Sequence, residues 1–590
     1  MAAAVFWACT AGLSQAATVV FTGIQDEDLE AELRGGSLLV QQTLLEENPA
    51  STSEILAAAQ ADYKRLLAVL YDNGFFSGAI TISVDGREAA LIPPVQPPES
   101  ITRIAIEVEP GAKFRFGRAQ IAPLAPGTEL HEGFAVGQTA SLSVLTSTVS
   151  AGVNAWRDQG HAKASLASQD LIADHPEQRI SAELTLAPGP RLRFGPLLLD
   201  GNSDVRADRI IDIAGLPEGE IYSPEEIRLA TERLRRTGAF NAVSLREAEE
   251  IGPNDTLAVT AQIIDAPKRR LGFGAEVSTL EGITLSAFWL HRNLLGGAER
   301  LRLEAEVAGI GGNSGGTDYK LGARFGRPAT FNEDTDFYAL AILEQLDEVS
   351  FFSRQLDVEA GIERIASPER TYTVGLGLRT AETRDVFGEN RYTLLTLPLT
   401  AQFDYRDDRL NAKDGYFIKA EVTPYVALTG ADNGVRSLID ARGYKTFGTA
   451  RPVTLALRGQ LGSIYGSELS RTPADYLFYS GGGGTVRGQE YQSLGVPVGD
   501  ETTGGRSFLG LSAEVRVGVT DTIGIVGFAD TGYVGEEEFY DGSGEWHSGA
   551  GLGLRYNTGI GPIRLDVAVP TSGPDSDENF QVYIGIGQSF

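Results

Sequence analysis

The sequence has 590 residues, of which 42% are hydrophobic and 22% charged, with 70 glycines and a net charge of −29. That length exceeds one ordinary domain, the acidic balance excludes the basic surface that nucleic acid requires, and no run of about 20 apolar residues offers a membrane-spanning helix. Five scattered histidines (His131, His161, His175, His291, His547) lack metal-site spacing, and no G-x-S-x-G elbow is present. The expectation is a protein that is not an enzyme and needs no cofactor or metal.

Met1–Ala17 reads as a secretory leader, apolar and ending in small residues, although its usual positive start is missing. Cys9, the sole cysteine, falls inside it, which leaves no cysteine for a disulfide in the mature chain. From Thr18 a layout recurs: one strand, two helices, then two closing strands. In the first unit the strand is Thr18–Ile24, the helices cover 26–42 and 53–73, and the closing strands are 79–84 and 101–108. A second unit spans about 114–186, with its long helix near 142–159. A third opens at 192–200, has helices near 205–214 and 224–237, and closes with strands 242–247 and 256–264. Each unit has a helix running into glycine (Gly74, Gly160, Gly238), as a left-handed helix stop requires. Three such stops in equivalent places indicate internal repeats.

After Pro267-Lys268-Arg269-Arg270 helical periodicity nearly vanishes. About sixteen alternating segments follow, near 271–279, 282–292, 300–309, 318–327, 335–346, 354–363, 370–381, 391–406, 415–427, 437–447, 453–464, 506–519, 523–534, 548–557, 561–569 and 580–590. In one, Ala513, Val515 and Val517 alternate with Ser512, Glu514 and Arg516; in the last, Phe580, Val582, Ile584 and Ile586 alternate with Gln581, Tyr583, Gly585 and Gly587. Charge on one face of an apolar strand is costly against lipid but tolerable against a wet lumen, so the pattern reads as a transmembrane β-barrel. A soluble β-sandwich or barrel is the alternative.

About forty residues separate the segments ending at 464 and beginning at 506. Connections that long are usually functional or disordered. Within this one stands Gly481-Gly482-Gly483-Gly484-Thr485-Val486-Arg487-Gly488-Gln489-Glu490-Tyr491. The absence of G-K-[ST] and of a following helix argues against a phosphate-binding loop. If the segment folds back into the barrel, Arg487 can meet two carboxylates on neighbouring strands, Glu514 and Asp530. If it does not, Arg487 is a solvated arginine on a surface turn.

Val486-Arg487-Gly488, Phe528-x-Asp530-x-Gly532, and Gly551-x-Gly553-x-Arg555-Tyr556 leading to Gly561-Pro562-Ile563-Arg564-Leu565-Asp566 resemble the signature of the outer-membrane-protein insertase superfamily. That resemblance implies N-terminal α+β POTRA repeats (β-α-α-β-β) followed by an antiparallel 16-stranded transmembrane β-barrel. The corresponding division is 1–17 leader, 18–112, 113–190 and 191–266 for three POTRA units, and 267–590 for the barrel. Three units, with Trp289 to Arg300 after the first strand, look like the TamA branch, the outer-membrane subunits of translocation and assembly modules. The resemblance further implies a loop lock of Val486, Arg487, Gly488, Glu514, Phe528, Asp530 and Gly532. It implies a lateral seam between the first and last strands, at Leu271, Phe273, Gly585, Gly587 and Phe590. The implied partners are a TamB-like, inner-membrane-anchored periplasmic protein, nascent outer-membrane or autotransporter clients, and outer-membrane lipid. A two-partner secretion pore or a passive channel is the functional alternative. Two positions depart from the pattern: Gln489 stands where an aromatic is usual, with Tyr491 as its candidate replacement, and Gln588 stands where the terminal signal has an apolar residue.

Overall fold

A computed structural model describes residues 18–43, 50–278, 282–312, 315–448, 451–520, 522–559, 561–573 and 580–590. The leader reading of Met1–Ala17 and the Thr279 end of the first barrel segment lie outside the described residues. The chain divides into two compact units. The first holds the described residues up to Pro196 with Pro217–Ile227 and Glu247–Val259; the second holds Leu197–Leu216, Arg228–Arg246 and Thr260–Phe590.

The first unit begins with β1 (Thr18–Thr22), α1 (Glu27–Gly36), α2 (Leu38–Thr43), α3 (Thr52–Asp72), β2 (Ala79–Val84), β3 (Arg87–Glu88) and β4 (Arg103–Glu109). Their sheet has the order β1-β4-β2-β3, with β1 parallel and β2 antiparallel to β4. Leu33, Leu39, Leu56, Leu66 and Leu70 from the helices bury against Ile82, Ile104 and Ile106. The single helix expected over 26–42 is two. Ser37 is extended (φ −81°, ψ 125°), and its hydroxyl donates to Asp62 Oδ2 at 2.6 Å. The same carboxylate accepts from the amides of Leu38 (2.8 Å) and Leu39 (3.1 Å), so a buried Asp62 caps a fresh helix start.

Next come β5 (Arg115–Ala122), α4 (Leu142–Asp158), β6 (Ser165–Asp174) and β7 (Arg179–Ala187), with sheet order β5-β7-β6. Here the two-helix layout fails. Within 113–190 α4 is the only helix, and 123–141 is turns and extended chain, punctuated by Pro123, Pro126, Gly127, Gly133 and Gly137. A third sheet, order β8-β10-β9, follows from β8 (Arg193–Asp200), α5 (Ala207–Ala214), α6 (Pro224–Arg236), β9 (Phe240–Glu247) and β10 (Thr256–Asp265). Gly74 and Gly160 stop α3 and α4 at φ +88° and +96°. Their carbonyls then accept from the amides that open the next stretch, Phe114 (2.8 Å) and Leu192 (2.9 Å), so each helix stop doubles as a tie to the following repeat.

The rest of the second unit is one antiparallel sheet. It runs β11 (Arg269–Ser278), β12 (Gly282–His291), β13 (Arg300–Ile310), β14 (Asp318–Asn332), β15 (Thr335–Asp347), β16 (Phe352–Ser367), β17 (Arg370–Asp385), β18 (Gly388–Thr396), β19 (Leu399–Asp404), β20 (Gly415–Thr429), β21 (Gly434–Phe447) and β22 (Val453–Tyr465). The long connection carries a two-stranded hairpin, β23 (Val496–Val498) and β24 (Glu501–Thr503). The sheet resumes with β25 (Ser507–Gly518), β26 (Ile523–Gly535), β27 (Glu545–Tyr556), β28 (Ile563–Ser572) and β29 (Gln581–Ile586). Seventeen strand segments are thus paired in sequence order. The one strand expected over 391–406 is interrupted at Leu397-Pro398, because proline has no amide for the ladder. Both pieces still pair with β17 and β20. The last strand is shorter than expected, ending at Ile586, because Gly587 turns left-handed (φ +91°) and takes Gln588–Phe590 out of the sheet.

Burial in this sheet is inverted relative to a water-soluble protein. Leu457, Leu511, Val515, Leu552, Val567 and Ile584 are exposed, whereas Ser512, Glu514, Arg516, Asp530, Arg555 and Asp566 are buried. An apolar belt outside and charge inside is the arrangement that hydrocarbon demands of a β-structure.

Candidate functional site: a loop seated among buried charges

The β22–β25 connection does not hang free. Tyr476, Leu477, Phe478, Leu494 and Val496 from it form an apolar cluster with Tyr392, Tyr425, Ile464, Phe508 and Val534 of the sheet. Arg458 of β22 donates to the Gly484 carbonyl at 2.9 Å. The loop is therefore folded against the enclosed face, and the surface-turn alternative for Arg487 does not apply.

Arg487 is 2% exposed. Its Nε and Nη2 donate to the two oxygens of Asp530 at 2.7 and 3.0 Å, a forked geometry that only a guanidinium supplies. Nη1 donates to Glu514 Oε1 at 2.7 Å and reaches Asp566 Oδ2 at 3.4 Å. The guanidinium lies over the Phe528 ring at 3.6 Å, so one face of the cation meets a π-system while its edge meets carboxylates. Alternation explains why these residues converge: Glu514, Phe528, Asp530 and Asp566 all lie on the enclosed face of their strands.

Two further cations share the same carboxylates. Arg516 donates through Nε to Glu514 Oε2 at 2.8 Å, and Arg555 bonds Asp566. Three arginines thus balance three carboxylates, every side chain at most 8% exposed. A charge taken this far from water is tolerable only when paired and fully hydrogen-bonded. Sequence reasoning placed Arg516, Arg555 and Asp566 in motifs or on a polar face but did not join them to Arg487. Strand period gives the face of a residue, whereas its height relative to a loop depends on strand stagger.

Glycine makes the approach possible. A Cβ on Gly532 would lie 2.3 Å from Ser480 Oγ and 3.0 Å from Val486 Cγ2, and one on Gly549 would lie 2.0 Å from the Arg487 carbonyl oxygen. Gly488 is left-handed (φ +96°), and its amide donates to the Tyr583 hydroxyl of β29 at 3.1 Å. Gln489 has its own use here: Nε2 donates to the carbonyls of Ser548 (2.7 Å) and Ser572 (2.8 Å), where the β27–β28 register shifts. The Tyr491 hydroxyl donates to Glu348 at 3.3 Å.

The residues expected at a seam are less uniform. Leu271 and Phe273 are on β11, 66% and 84% exposed. Among the described residues β11 makes ten register pairs with β12 but one with β29, Ser278 opposite Tyr583. Gly585 lies within β29 opposite Arg564. Gly587 and Phe590 lie beyond the strand, and Phe590 is buried with Ala412, Tyr444 and Ala456, so these two are not edge residues.

Residues 293–590 match the Omp85 superfamily domain. The outer membrane protein assembly factor BamA of Neisseria meningitidis serogroup B (strain ATCC BAA-335 / MC58) is 22% identical, over 82% of this chain and 68% of its own length. Among solved structures, BamA from Haemophilus ducreyi lacking POTRA domains 1–3 superimposes with a TM-score of 0.62 at 17% identity, over 80% of this chain and 99% of that one. CdiB from Acinetobacter baumannii gives a TM-score of 0.50 at 12% identity, over 80% of this chain and 89% of that one. With half of its length matching the domain, the chain belongs to the Omp85 superfamily, its C-terminal sheet in the bacterial outer membrane and its N-terminal units in the periplasm.

Proposed function

We propose that this protein assembles or secretes outer-membrane proteins, offering the β11–β29 edge as a template for a client strand. The observation that carries this reading is the imbalance at β11 among the described residues: ten register pairs on one side and one on the other. Among the described residues β11 has little ladder pairing on its β29 side, and a thinly paired strand edge is a ready partner for an incoming strand. Nucleotide hydrolysis plays no part in this scheme.

Counting β18 and β19 as one strand broken at Pro398, we read the sheet as a closed sixteen-stranded cylinder. An even count returns both chain ends of the cylinder to the periplasmic side. Arg487 in its carboxylate cage holds the loop down and so acts as a lock. Three N-terminal repeats support the TamA branch over other branches of the superfamily. A TamB-like periplasm-spanning protein is then the partner, and autotransporter-type barrels are clients.

Cysteines at Ser278 and Tyr583 test the seam. Directly opposed positions on antiparallel strands fall within disulfide reach, a Cα separation of about 4.4–6.8 Å. Oxidised Ser278→Cys/Tyr583→Cys protein in liposomes should fail to insert a client barrel and should recover on reduction. The reduced form controls for loss of the Tyr583 hydroxyl. Full insertion by the oxidised form would reject the edge as the working surface, and a steady open conductance with no client insertion would favour a channel.

A further inference from the structure

Beyond β29 the chain makes contacts that the loop's seating does not require. Gly587 donates to the Pro562 carbonyl at 2.7 Å, and Gln588 donates from its amide to the Leu410 carbonyl at 3.1 Å and from Nε2 to Asn411 Oδ1 at 2.9 Å. Phe590 enters the enclosed side with Ala412, Tyr444 and Ala456. Two arginines hold this segment. Arg516 Nη2 donates to the Phe590 carbonyl at 3.1 Å, and Arg555 Nε donates to Gln588 Oε1 at 2.7 Å.

These are the same two arginines that share carboxylates with Arg487. One path runs Arg487–Glu514–Arg516–Phe590, through contacts of 2.7, 2.8 and 3.1 Å. The other runs Arg487–Asp566–Arg555–Gln588. A third link is direct, from the Gly488 amide to Tyr583, the residue of β29 that faces Ser278 across the seam. Glu514 turns one oxygen toward Arg487 and the other toward Arg516, and Asp566 shares Oδ2 between Arg487 and Arg555 while Oδ1 accepts from Arg555. Withdrawing Arg487 leaves Glu514 and Asp566 with one cation each, free to draw Arg516 and Arg555 off their 587–590 acceptors.

We infer that Arg516 and Arg555 are positioning residues that tie the 587–590 segment, and with it the β29 side of the seam, to the seating of the 481–488 loop. The loop then reports on the seam and the seam on the loop, because coupling between two sites is reciprocal. The inference rests on reading the β11–β29 edge as the working seam only for its use, not for the linkage itself.

The test follows both ends of the linkage in full-length protein in lipid, with Cys9 replaced by serine. A nitroxide on Ser589→Cys reads the mobility of the segment, and protease cleavage within 481–488 reads the loop. Heat-modifiable migration on gels reads the fold of the barrel. In the parent the label is immobilised. Arg487→Ala should mobilise it, and Arg516→Gln should speed loop cleavage at least threefold although it lies outside the loop. Combining Arg516→Gln with Arg555→Gln should exceed either alone, and adding Arg487→Ala to that pair should change the spectrum little further. Should Arg487→Ala prevent folding, the Arg516→Gln cleavage rate decides the matter. A merely structural Arg516 would mobilise the label and leave loop cleavage at the parental rate, and that result overturns the linkage. Client insertion separates the two readings. A linkage that stands while the seam disulfide leaves insertion intact rejects the seam's role, not the relay.

Discussion

Arg487 illustrates how one cation organises a site that no single motif defines. Removing it leaves Glu514, Asp530 and Asp566 facing two arginines instead of three, so a carboxylate is left buried without compensation. Breaking a buried pair from one side costs about 3–5 kcal/mol. Arg487→Ala is therefore expected to release the loop, seen as protease cleavage within 481–488, while the remaining strands keep the barrel's heat-modifiable migration. Arg487→Lys should fail to restore protection, because an ammonium cannot fork across both Asp530 oxygens and lie flat on Phe528. Glu514 and Asp530 were legible in the sequence because each falls in an alternating strand, and Arg487 because it stands in a long glycine-rich connection. Their neighbours Arg516 and Arg555 fall in such strands too, but nothing in a period of two says which loop atom arrives at their level. Gln489 was legible only as an anomaly; its partners are backbone carbonyls at a register shift, a feature without a side-chain signature.

Elements are held by similar economies. Asp62 replaces the continuity of a helix with a cap, accepting three hydrogen bonds at the start of α2. Asp62→Ala should cost about 1–3 kcal/mol, since buried donors lose their acceptor, and should appear as faster amide exchange at Leu38 and Leu39. In the second compact unit α6 meets the β14–β15 turn through Arg233 and Arg236, both bonded to Asp334. Arg209 of α5 adds donors to the carbonyl of Pro328. Burial alone would raise the Asp334 carboxyl, but the two arginines outweigh it and hold it below its ordinary value of 3.8. A lowered carboxylate contributes fully above that value and loses its contribution as pH falls through its lower folded pKa. Exchange protection of α6 should therefore be flat from pH 7 to about 4 and fall below that, and Asp334→Asn should remove this acid step. Helix and strand periods were readable for most of these elements. The breaks at Ser37 and Pro398 came from local chemistry instead: a distant carboxylate in one case and a missing amide in the other.

At the scale of the molecule the sheet was readable in outline because every strand repeats the same outward-apolar rule. The meeting of β11 and β29 was not readable from strand period and was expected only through the family resemblance, because it is a long-range event with one register pair to mark it among the described residues. A further consequence concerns the solvent around that edge. In the interior of a bilayer an amide or carbonyl without a partner is strongly penalised, so at the proposed seam lipid beside β11 would be pressed to retreat and let water or headgroups reach the strand. Acyl chains that are short, or disordered by temperature, yield to this more readily. Reconstituted in phosphatidylcholines of decreasing chain length, the protein should work faster as the bilayer becomes thinner, whereas a tightly paired cylinder would be indifferent. The membrane itself would then be a reactant, deformed before any client arrives.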